Sequence, residues 1–169
     1  MSAAASAPSG RDGGGGEVFG PARWDVLPGR SWAGFAAGPG RLRVVRGEHC
    51  RTRPALFAEW ARALAFPGYF GHNWDAFEEC LGDAIQPPGE APDGGPLIVV
   101  TAAGSLLADE PGGQLALLLR ILDAVATAPG AGGPLRVLFT AGADAGSAAT
   151  AETERRLRAA GREARIGTA

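Results

Sequence analysis

Two apolar runs of strand length, Pro96-Leu97-Ile98-Val99-Val100-Thr101 and Leu135-Arg136-Val137-Leu138-Phe139-Thr140, constrain this chain more than any other feature. A strand with one wet face alternates apolar and polar residues. The first run does not alternate, which is the pattern of a strand covered on both faces in a parallel sheet, and it is expected to be central. Parallel neighbours need a crossover between them. Gln114 to Ala128 supplies one, with Leu115, Leu118, Leu119, Leu122 and Val125 at helical spacing and a stop at Pro129-Gly130. Upstream, Arg41-Leu42-Arg43-Val44-Val45-Arg46, closed by Gly47, reads as the first strand.

Two helices are expected between the first strand and the central one. Thr52 can cap a helix over residues 53 to 65, with Pro54 early, where its missing N–H does no harm, and with Leu56, Phe57, Trp60 and Leu64 on one side. Pro67-Gly68 ends it, and Tyr69-Phe70-Gly71-His72 forms a short loop. Asn73 is a good N-cap for a second helix running to about Ile85. Along that helix Trp74, Phe77, Cys80, Leu81, Ala84 and Ile85 gather on one face, while Asp75, Glu79 and Asp83 line up opposite. The resulting order is strand, two helices, strand, helix, strand, and the implied class is α/β: a three-stranded parallel sheet with three to four helices packed around it.

The 27 glycines and 13 prolines concentrate outside these elements. Residues 1–16, ending in four glycines, have almost nothing to bury and are expected to be a disordered tail. Residues 17–40 carry Val18, Phe19, Trp24, Val26, Leu27, Trp32 and Phe35 between Gly and Pro punctuation and read as an irregular arm. One domain is expected over 41–140. Residues 141–169, rich in arginine and glutamate and poor in apolar residues, read as a loosely structured tail or surface helix.

A formal net charge of −2 hides an uneven distribution. Residues 53 to 110 hold Arg53 and Arg62 against nine carboxylates: Glu59, Asp75, Glu78, Glu79, Asp83, Glu90, Asp93, Asp109 and Glu110. Such an acidic centre argues against direct nucleic-acid binding and for a basic partner surface. No apolar stretch suits a signal peptide or a membrane span, so a soluble, cytoplasmic protein with two free thiols, Cys50 and Cys80, is expected.

Three carboxylates at i, i+4 and i+8 repel one another, each pair costing a helix about 0.2–0.5 kcal/mol. Only Asp75, in the first turn, is offset by the helix dipole. A chain selected for folding alone would gain by alternating the signs, although a solvated acidic face is the ordinary alternative.

The stretch Phe66-Pro67-Gly68-Tyr69-Phe70-Gly71-His72-Asn73-Trp74-Asp75-Ala76-Phe77-Glu78-Glu79-Cys80-Leu81 resembles the barstar family, with its Pro-x-Tyr-aromatic-Gly-x-Asn-x-Asp-Ala-hydrophobic-x-acid-Cys-Leu pattern. The resemblance implies a barstar-like domain over 41–140 and an inhibitor of a guanyl-specific, barnase-like ribonuclease, a monomer acting in a 1:1 complex. A ribonuclease cleft is lined with cationic donors, and a fixed carboxylate fits there in place of phosphate. On this basis the expected partner-binding residues are Tyr69, Gly71, Asn73, Trp74, Asp75, Glu78, Glu79 and Asp83, with Asp123 as the acidic residue of the third helix. Glu79 stands where the family usually has Asp, Glu78 where an aromatic residue can stand, and His72 where an acid can stand. These departures imply a partner related to barnase and not interchangeable with it.

Two other readings compete. An adaptor could use the same acidic face on another basic protein. A small enzyme could use His49-Cys50 or His72-Cys80, or a metal held by His72, Asp75 and Glu79, but no base-orienting group or closed ligand set accompanies them, and no catalysis, cofactor or metal is expected.

Overall fold

Strand Leu97–Thr101 is buried along almost its whole length because the chain lays a parallel neighbour on each side of it. The computed structural model describes residues 23–27, 42–85, 97–128, 135–142 and 144–166; of residues 23–27, 165 and 166 it describes the backbone alone. In chain order the elements are β1 (Arg23–Leu27), β2 (Leu42–Arg46), α1 (Arg53–Leu64), α2 (Trp74–Ile85), β3 (Leu97–Thr101), α3 (Gly113–Thr127), β4 (Arg136–Thr140) and α4 (Ser147–Ile166). The three expected strands form a parallel sheet with β3 between β2 and β4, in the register Val44↔Val99↔Leu138.

Alternation along the strands separates two cores. Val45, Ile98, Val100, Val137 and Phe139 join one cluster with the buried residues of all four helices, among them Trp60, Phe77, Leu118 and Leu157. Leu97, Val99 and Leu138 form a smaller cluster on the other face, with Leu42 against it. This double cover is why β3 reads as an unbroken apolar run. Among the described residues no helix is long and apolar enough to cross a membrane.

Two expectations need correction. Part of the arm expected to be irregular is a strand: β1 pairs in parallel with β4, Asp25 opposite Leu138, and makes the sheet four-stranded in the order β1-β4-β3-β2. Five residues among Gly and Pro give a weak periodic signal, and the bonds that hold an edge strand are backbone bonds that composition does not encode. Of the two readings of the segment after β4, tail or surface helix, the structure shows the helix, 20 residues long, and corrects only its looseness. Thr153, Leu157 and Ala160 are buried against the main core, and the Arg156 guanidinium donates to the carbonyls of Gly104 and Leu106 at 3.1 and 2.6 Å. A small residue is needed where α4 approaches, since a Cβ on Gly104 would stand 2.9 Å from Thr153 Oγ1. Three small or apolar side chains on one stripe suffice to dock a helix whose mean composition looks solvent-borne. The expected disorder of residues 1–16 lies outside the described residues.

Candidate partner-binding face

An aromatic floor fixes the loop between α1 and α2. Phe57, Phe66, Phe70, Trp74 and Phe77 meet edge to face or tilted, with ring centroids 5.0–5.9 Å apart. Such contacts add about 0.5–1.5 kcal/mol per pair beyond burial and leave little freedom at the base of the loop. Phe70 is buried in this floor, whereas its neighbour Tyr69 is 79 % exposed. Two adjacent aromatic residues are therefore split between core and solvent.

Asn73 starts α2 as expected. Its Oδ1 accepts from the Ala76 N–H at 2.9 Å, and its carbonyl accepts from the Phe77 N–H. Gly71 is exposed, and a Cβ there would come within 3.1 Å of the Asn73 amide nitrogen, so the glycine keeps room for the cap as well as leaving open backbone. His72 takes a left-handed backbone, φ 51°, and its Nδ1 lies 2.9 Å from the Phe70 carbonyl oxygen.

From this start α2 presents Asp75, Glu78, Glu79 and Asp83, all exposed, and buries Phe77, Cys80, Leu81 and Ile85 on its other side. At 1.5 Å per residue the stripe from Asp75 to Asp83 runs about 12 Å. Among the described residues no arginine or histidine pairs with any of the four.

Other members of the acidic centre are used internally. Glu59, 5 % exposed, receives both the side chain and the backbone N–H of Arg46 and the side chain of Arg62, at 2.7–3.1 Å. Burial opposes its ionisation, but hydrogen bonds from Arg62 and Arg46 outweigh burial and hold the carboxyl far below the usual carboxylate range. Asp109 pairs with Arg51, and Glu110 accepts from the Arg53 backbone N–H. Glu90 and Asp93 lie outside the described residues. Within the acidic centre of residues 53 to 110, the carboxylates among the described residues that no internal partner uses are thus the four of α2.

Of the expected site residues, Tyr69, Gly71, Asn73, Asp75, Glu78, Glu79 and Asp83 come together on the loop and α2. Trp74 is only half-buried, but its ring packs on Phe57 and Phe77 and its indole N–H donates to Gln114 Oε1 at 3.0 Å, so part of it is committed to the fold. Gln114 was not anticipated; it ties the first turn of α2 to the first turn of α3. The available signal was a polar residue opening an otherwise apolar helix, next to the buried Leu115 and one turn before the buried Leu118. Asp123 sits on α3 nine residues further, about 13 Å along the axis, half-buried. The thiols do not join the face. Cys50 is fully buried and donates to the Arg46 carbonyl, and burial, then the negative charges of Glu59 and Glu48, push its thiol up to about 12. Cys80 is turned into the core, its thiol pushed up by burial first and then by Glu79 and Asp83.

The family model described as Barstar (barnase inhibitor) matches residues 40–140. The match runs from just before β2 to the last residue of β4 and takes in the loop, α2 and its carboxylates, while β1 and α4 lie outside it. No curated protein sequence matches the chain.

Proposed function

Because this chain belongs to the barstar family, we propose that it is a non-catalytic inhibitor of a guanyl-specific, barnase-like ribonuclease, acting in the cytoplasm as a monomer in a 1:1 complex. The observation that carries the reading is the set of exposed carboxylates on α2, on a rigid base and with no described cation beside them. Carboxylates stacked at a cost to the helix, and left unneutralised, are arranged for a cation on another molecule.

In this reading Glu79 enters the cationic cleft in place of the RNA phosphate, where an arginine can hold it bidentately. Asp75 is the second anchor, and Glu78 and Asp83 extend the negative field to either side. Tyr69 supplies the apolar contact that excludes water around the charge pairs, with Asn73 holding the loop and Gly71 admitting close approach. Asp123 on α3 is assigned the outer edge of the contact.

The test is titration of the purified chain into guanyl-specific ribonucleases during RNA cleavage. Stoichiometric loss of cleavage is expected, with association slowing as salt rises, because opposite fields steer the encounter. Retained cleavage, with capture of a non-nuclease basic protein that depends on Asp75 and Glu79, would instead make the chain an adaptor.

A further inference from the structure

His72 stands on the rim of the acidic face between the exposed Tyr69 and the capping Asn73, and its ring is held from one side only. Nδ1 lies 2.9 Å from the Phe70 carbonyl oxygen, and the ring lies over the Phe70 ring with centroids 4.6 Å apart. A carbonyl oxygen can only accept, so Nδ1 carries the proton. In the neutral ring the outer nitrogen, Nε2, then has a bare lone pair. The left-handed backbone at His72 is uncommon for a residue other than glycine, and it is the turn that sets this ring beside the start of α2.

We propose that His72 is a specificity-determining residue that offers Nε2 as a neutral hydrogen-bond acceptor to a cationic donor of the partner, so that the complex forms with the ring unprotonated. The inference rests on the inhibitor reading above. A second proton on the ring turns Nε2 from acceptor to donor and places positive charge against a positive cleft, the change that makes an imidazole a pH-responsive contact. The ionisable groups next to it along the chain are Tyr69 on its own loop and, on α2, Asp75, Glu78 and Glu79. Its packing partner Phe70, and Phe57 and Phe66 beyond it, carry no charge. On α1 Glu59 and Arg62 are bound to each other. No described carboxylate lies within ion-pair distance of the His72 ring. Acidification therefore repels partner and inhibitor without breaking a bond inside the inhibitor.

The experiment has two arms. In the free protein at pH 8, nitrogen-15 spectra of the histidine ring should show Nδ1 protonated and Nε2 bare; a proton resident on Nε2 overturns the proposal whatever the partner. In the complex, the dissociation constant is compared at pH 8 and pH 6 for the wild type and for His72→Asn, a residue that tolerates the left-handed backbone. At pH 8 the variant should bind about tenfold more weakly, the scale of one hydrogen bond to a charged donor. Wild-type affinity should fall several-fold more between pH 8 and pH 6 than the variant's, whatever part of the pH dependence belongs to the ribonuclease. Superimposable profiles, with the variant folded by its melting transition, remove the inference and leave the inhibitor reading intact. A wild type that binds no ribonuclease removes both.

Discussion

In α1 one carboxylate, Glu59, is buried and held by five hydrogen bonds from Arg46 and Arg62, whereas in α2 four carboxylates stand in solvent with no described cation beside them. Both regions looked like one acidic centre in the sequence. The difference lies in who supplies the positive charge. For Glu59 it comes from the end of β2 and from the next turn of its own helix, so the ion pairs lock α1 to the sheet. For α2 no described residue supplies it, and in the inhibitor reading it comes from the ribonuclease. A charge that is neutralised at home contributes to stability; one left open contributes to binding at some expense to stability.

The strongest way to break this contrast is Glu79→Ala. The complex with the ribonuclease should weaken by about 3 kcal/mol or more, a scale typical of interface hot spots, for which the barnase–barstar pair is itself a standard example. Calorimetric titration measures it, and the melting temperature should not fall. A folded variant that binds as the wild type does would make the acidic face ordinary surface.

Glu59→Gln should do the reverse. Removing the charge from a buried pair costs about 3 kcal/mol of unfolding free energy, read by urea denaturation, while affinity per folded molecule is unchanged. The same site shapes the acid limb. A carboxyl held below its unfolded range contributes stability that is fully present above about pH 4.3 and is lost as pH falls toward the depressed folded value. Stability measured from pH 6 down to pH 2 should therefore fall less steeply in Glu59→Gln than in the wild type.

The smallest effect sharpens the comparison most. Asp83→Lys replaces a repulsive pair with an attractive one, Glu preceding Lys by four residues, and puts a cation near the negative end of the helix. It should stabilise the free protein by about 0.5 kcal/mol while slowing association with the ribonuclease. A loss of stability would mean that the acidic stripe is not under strain.

The parts of the fold that depend on pattern were legible. Pro96 to Thr101 announced a doubly covered strand, Thr52 and Asn73 announced helix starts, and the opposition of Phe77, Cys80 and Leu81 to Asp75, Glu79 and Asp83 announced which side of α2 faces water. What escaped depended on pairing between distant segments. β1 is held through the backbone edge of β4, the grip of Arg156 on Gly104 and Leu106 is a contact to carbonyls, and the Trp74–Gln114 bond joins residues forty positions apart. Glu59 was counted as open charge although Leu56, Phe57 and Trp60 surround it on α1 and Arg62 follows three residues later. Its partner Arg46 lies on another element, and no local period reports that.

The docking of α4 separates the heritable unit from the cooperative one. A fragment trimmed to residues 40–140 would retain every residue of the acidic face, yet it would uncover the apolar surface that Leu157 and Ala160 close and leave the outer edge of β4 without a neighbour. Such a fragment is recognition without its housing: able to present the charges, and open along its flank to association with copies of itself.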